Sequence, residues 1–135
     1  MRNPHYLHFI DQEGLSVWTR QDEAMRCVER FTGNDASLSA FEAWMGPNAK
    51  ALHTLLVDLP DEGFHVERIP PVSGQDREQL IDRRRLQLFQ ASPFSTAISL
   101  GHEKEGRRDE RVLLVGLTRP AAITPWLDIF RKTEA

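Results

Sequence analysis

Apolar and polar residues alternate along the first third of the chain. Residues 6–10 read as a strand, with β-branched and aromatic side chains and no helical period. Asp11-Gln12-Glu13-Gly14 is a polar turn closed by glycine. Leu15, Val17 and Thr19 then alternate with Ser16, Trp18 and Arg20, the period of a strand with two unlike faces. After Gln21-Asp22-Glu23, residues 24–31 alternate again, with Met25, Cys27, Glu29 and Phe31 on one face. Short polar turns join antiparallel neighbours, so these three strands predict a meander.

Thr32-Gly33-Asn34 breaks the pattern, and Leu38, Phe41 and Met45 then share one helical face. Ser39 stands three residues before Glu42, the spacing of a capping box, with Asp35 and Ser37 as alternative caps. Gly46-Pro47 predicts an end or a kink. Residues 52–59 are nearly all apolar, which predicts a central strand covered on both faces. A turn at 60–63 leads to a strand at 64–69 that stops at Pro70-Pro71. A charged helix follows over 75–89, opened near Ser73 or Gln75. Its apolar stripe is Leu80, Ile81, Leu88 and Phe89, with Arg83-Arg84-Arg85 wrapped around it. Ser92-Pro93 ends it. Two strands, 94–100 and 111–117, are joined by a long charged connector whose tip should be solvated and mobile. A last helical stretch, 120–132, carries Ile123, Trp126, Leu127 and Phe130, with Pro125 as its internal break point. The order is β-β-β-α-β, then β-α-β-β-α. An α/β (α+β) architecture follows, a sheet covered by helices in one compact domain over residues 1–135.

Composition narrows the function classes. A chain of 135 residues suffices for one domain with a real core. With 40% apolar and 27% charged residues it reads as an ordinary globular protein, not a disordered one. Seventeen basic and 20 acidic residues are interspersed, giving a formal charge of −3 and no field that would draw in nucleic acid or anionic lipid. No apolar run approaches the roughly 20 residues needed to span a bilayer. Cys27 is the only cysteine, so no internal disulfide can form, and a cytoplasmic location is expected.

Residues 55–59, 60–63, 66–71, 76–89, 97–100 and 112–117 follow one another as buried strand, turn, proline-ended strand, charged helix and two strands. This order resembles the subdomain inserted into bacterial actin-like assembly proteins, in particular the type IV pilus assembly and type II secretion members. Residues 1–60 resemble the start of the ribonuclease H-like core of the same proteins. The resemblance implies the N-terminal lobe of a larger, two-lobed protein with nucleotide between the lobes. It also places the first phosphate loop at the turn between the first two strands, where Asp11, Gln12 and Gly14 become the candidate nucleotide-binding residues. Asp11 matches the aspartate expected there, whereas Gln12 and Glu13 replace glycine and small hydroxyl residues. Glycine lets backbone N–H groups approach a phosphate closely, and Glu13 would bring a like charge to it. The resemblance therefore implies a non-catalytic scaffold at the inner face of a membrane assembly, binding protein partners or itself and holding no cofactor. A nucleotide-binding lobe is the alternative.

Other constellations are weaker. Asp11, Glu42 and Asp58 fall in the slots of a ribonuclease H-like nuclease, whose acids hold two metal ions. No fourth acid and no concentrated basic surface accompany them, and turn and capping roles explain all three. His5 and His8 point to opposite faces of one strand, and His53, His65 and His102 are scattered, so no metal site is expected. Arg83, Arg84 and Arg85 lie among Asp76, Glu78 and Asp82, which favours a solvated, ion-paired face over nucleic acid. The sharper reading is that these arginines meet an acidic protein partner, since Arg is enriched in interface cores. Trp18 is the candidate contact aromatic should it prove exposed on its sheet.

Overall fold

The computed structural model describes residues 3–90 and 92–135. The elements are β1 (His5–Asp11), β2 (Gly14–Gln21), β3 (Ala24–Phe31), α1 (Asp35–Asn48), β4 (Leu52–Val57), β5 (Glu62–Ile69), α2 (Gly74–Leu88), β6 (Ser95–His102), β7 (Glu110–Leu117), a 3₁₀ turn (Pro120–Ala122) and α3 (Thr124–Lys132). They form two compact units. One comprises residues 1–60 and 121–135, the other residues 61–120. The last helix, counted with the second half on sequence, belongs to the first unit.

In the first unit β3, β2, β1 and β4 form one sheet in that order, with β4 parallel to β1 and the other pairs antiparallel. Helices α1 and α3 cover one face. Ile10, Leu15, Val17 and Phe31 from the strands are buried with Phe41, Met45, Trp126, Ile129 and Phe130 from the helices. The first turn of α1 is closed by Asn34, whose side-chain oxygen accepts from the Ser37 amide at 2.8 Å. Asn34 thus caps the helix one turn ahead of the Ser39 box, because the chain already turns at Gly33. Pro47 falls in the last turn, where one missing N–H does little harm, and the Asn48 side-chain amide donates to the Trp44 carbonyl at 2.7 Å.

Strand β4 departs from the sequence reading. It is an edge strand with one covered face. His53, Leu55 and Val57 are half-buried, whereas Leu52 and Leu56 are exposed. A near-continuous apolar run predicts two covered faces only when something covers the second.

In the second unit β7 is central, between β5 and β6, and all pairs are antiparallel. Helix α2 packs on one face over a core of Ile69, Ile81, Phe89, Val112 and Leu114, flanked by Leu80 and Ala97. Leu88, assigned to the apolar stripe on sequence, is exposed instead. Phe89 lies flat against Gly63 and Gly116. A Cβ on either would come within 2.8 and 2.7 Å of its ring, so both glycines make room for it.

Helix α2 is poor in apolar residues, and its arginines supply what packing does not. Arg77 grips Glu110 of β7 with two bonds of 2.7 Å, Nε to Oε1 and Nη2 to Oε2. Arg84 reaches Glu67 of β5 at 3.3 Å, and Arg85 donates to Ser95 of β6 at 2.8 Å. Each strand is thereby tied to the helix by one guanidinium. The Glu110 side chain is only 4% exposed. Its bond from Arg77, against the cost of burial, holds the carboxyl down at about 2.

Replacing Glu110 by Ala removes the bidentate partner of Arg77, whose partly exposed guanidinium keeps only its bond to Glu78, and should cost about 2 kcal/mol in urea unfolding. The double replacement Arg77→Met, Glu110→Leu should recover most of that loss. In the native protein the Glu110 contribution is complete above its ordinary value of 4.5 and disappears as pH falls toward 2. Urea midpoints across that range check the slope.

Candidate functional site

The turn at Asp11 is built by its own aspartate. Asp11 Oδ1 accepts from the Glu13 amide at 2.9 Å and from the Gly14 amide at 3.2 Å. These are the backbone donors a phosphate would need. Gly14 has φ of +143°, and a Cβ there would lie 2.0 Å from the Phe31 carbonyl oxygen. The glycine is thus required by the close approach of β3, irrespective of any ligand. Asp11, Gln12 and Glu13 line a shallow hollow with Asp58, Leu59 and Pro60, which brings three carboxylate residues to one opening. A second hollow on the other side of the turn adds Arg30 and Thr32 to Asp11 and Glu13.

Of the three acids with nuclease spacing, Asp11 and Asp58 share that opening. Glu42 instead pairs with Lys132 of α3 at 2.8 Å, a contact between helices. No group of three or more His, Cys, Asp or Glu among the described residues is arranged to hold a metal ion.

Trp18 is half-buried on the face of the first sheet away from the helices. Its indole N–H donates to Ser16 Oγ at 2.8 Å, and the Arg30 guanidinium lies 5.5 Å from its ring centre. Leu7, Phe9, Leu52 and Leu56 share that face. Of the three candidate arginines, Arg84 and Arg85 are drawn inward to the strands and only Arg83 points to solvent. The helix's basic run is mainly internal fastening.

Register also does what sequence spacing could not show. Pairing of β1 with β4 brings His8 and His53 together inside the first unit. His53 Nε2 lies 2.9 Å from the Asn48 carbonyl, which can only accept, so Nε2 carries the proton and His53 Nδ1 is an acceptor. His8 Nε2, 2.9 Å from that Nδ1, therefore donates, and His8 Nδ1 is an unprotonated nitrogen with no partner among the described residues. The rings of Phe41, Trp44 and Phe130 stand edge-on around His8. Burial first, and His53 second, hold the imidazole at about 4, below its ordinary 6.5.

A second open surface lies on the second unit, opposite α2. Phe64, Val66 and Arg68 of β5 pair with Val115, Leu113 and Arg111 of β7, and Thr96 and Ile98 of β6 continue the rows at Val115 and Leu113. Phe64 is 64% exposed, and Val66 and Ile98 are nearly half exposed. A strand reading of residues 64–69 misses this surface, although the alternation of Phe64 and Val66 with His65 and Glu67 was its signal.

No protein-family model matches the sequence, and no curated protein matches it. Solved structures do. One is the cytoplasmic domain of EpsL, an inner-membrane component of the type II secretion system of Vibrio cholerae, with a TM-score of 0.52 at 16% identity. The match takes in 97% of this chain and 53% of the EpsL chain, so this chain spans about half the length of the structure it resembles. The two share a fold over that length. No described helix is long and apolar enough to cross a membrane.

Because His8 is neutral when folded, the unfolded chain binds more protons between pH 6.5 and 4. Stability should therefore fall as pH drops through that window. His8→Leu should flatten the fall, as read from thermal midpoints at stepped pH.

Proposed function

We propose that this chain is a non-catalytic docking lobe, of actin-like type, in a membrane-associated assembly of the secretion kind. The observation that carries this reading is the hold of the Asp11 carboxylate on the Glu13 and Gly14 amides. At the turn where actin-like proteins would be expected to meet phosphate, the donors are already engaged, and Glu13 and Asp58 add negative charge at the opening. Electrostatics there favours cations and opposes a triphosphate.

Two further observations support it. The fold is shared with the cytoplasmic domain of a secretion-system component. Each unit also presents apolar strand residues to solvent, Leu52 and Leu56 on one sheet, Phe64, Val66 and Ile98 on the other. Exposed apolar residues gathered on one face mark interaction surfaces, whereas single scattered ones mean little.

Isothermal titration with magnesium and ATP tests the reading. A folded sample should give no binding heat. Micromolar binding, weakened by Asp11→Ala, would overturn it and make the chain a nucleotide-gated lobe.

A further inference from the structure

We infer that the open face of the second unit's sheet is the seat of one amphipathic helix from a protein partner, with acidic residues at one end. The inference deepens the docking role proposed above by naming the surface and the partner's chemistry.

The face has an order. Phe64, Val115 and Thr96 form one row, and Val66, Leu113 and Ile98 form the next. Arg68 and Arg111 stand opposite each other in the third. Like charges directly across a strand pair cost stability, so the arginine row works against the fold of this unit alone. Arg68 is offset in part by Glu103, at 3.5 Å. Arg111 makes no ion pair among the described residues, and it lines an open hollow with Leu100, Glu103, Lys104 and Glu105. An apolar band ending in two facing guanidiniums, one of them without an ion pair, is the complement of an apolar stripe ending in an acid.

Size selects the occupant. Three strands about 4.8 Å apart span about 10 Å, and six residues of strand run about 20 Å. A helix of about 13 residues has that length and that diameter. The same sheet already carries one helix, α2, on its opposite face. A face of roughly 200 Å² falls well short of the roughly 800 Å² per partner of a stable dimer, so a second copy is the poorer fit. Strand addition at the β6 edge is disfavoured by the irregular register between Ser99 and Gly101, since bulges blunt edges.

The test uses two synthetic helical peptides of about 14 residues with the same leucine stripe at i, i+3, i+4 and i+7. One carries glutamates in its first turn, where they also suit the helix dipole, and the other carries lysines there. The full chain, labelled with nitrogen-15, is titrated with each. The acidic peptide should bind at least about tenfold more tightly and shift the amides of Val66, Leu113 and Ile98. Val66→Asp, an exposed position that leaves the core intact, should abolish binding with an unchanged circular dichroism spectrum. Arg68→Glu with Arg111→Glu should reverse the preference between the peptides. Equal binding of both peptides, no binding of either, or shifts elsewhere would overturn the inference. So would a concentration-dependent dimer, or adsorption to anionic vesicles, that Val66→Asp removes. None of these results touches the ATP titration, so the two proposals fail separately.

Discussion

The fastening of α2 to its sheet by arginine is the constraint on which the second unit depends. With Ile81 as its one fully buried side chain, the helix brings little apolar surface to a three-stranded sheet. Three strands with one helix make a marginal core. Arg77, Arg84 and Arg85 each reach a different strand, and the pair with Glu110 is short, bidentate and buried on its carboxylate side. A bidentate pair fixes orientation as well as distance. The helix is thereby set across all three strands, leaving the opposite face flat and free. Exposure of one face follows from polar fastening on the other.

The first unit solves a different problem. A histidine pair lies where helices α1 and α3 meet the strands, and its polarity is consumed by one hydrogen bond to the Asn48 carbonyl and one between the rings. The remaining His8 nitrogen is an acceptor, which is less costly to leave unpaired than a donor would be. The pair also gives the β1–β4 pairing a specific buried polar contact across the sheet, beside the His5–Thr54 contact of 2.8 Å at its exposed end.

Much of this was legible in the sequence. The alternation of Leu15 and Val17 with Ser16 and Trp18 gave both faces of β2, and Phe41 and Met45 marked the buried side of α1. The exposed faces were harder to see. The run at 52–57 contains the apolar residues a doubly covered strand needs, and only the sheet order shows that Leu52 and Leu56 lack a cover. The arginine cluster was ambiguous for a similar reason: whether a guanidinium meets a partner or its own sheet depends on Glu67 and Ser95, far from it in the chain. The histidine pair was invisible, because His8 and His53 meet only through the parallel register. At Asp11 the sequence showed a turn that departs from a phosphate loop, and the structure adds the reason, a carboxylate folded back on the amides.

The central claim is that a well-ordered sheet presents an apolar face to water. Methyl resonances of the folded chain with a soluble paramagnetic agent test it directly. The account predicts strong relaxation of the Val66 and Ile98 methyls and little at Val112 and Leu114, which lie under α2. Equal protection of all four would mean that the face is covered in solution, and the docking account would fall with it.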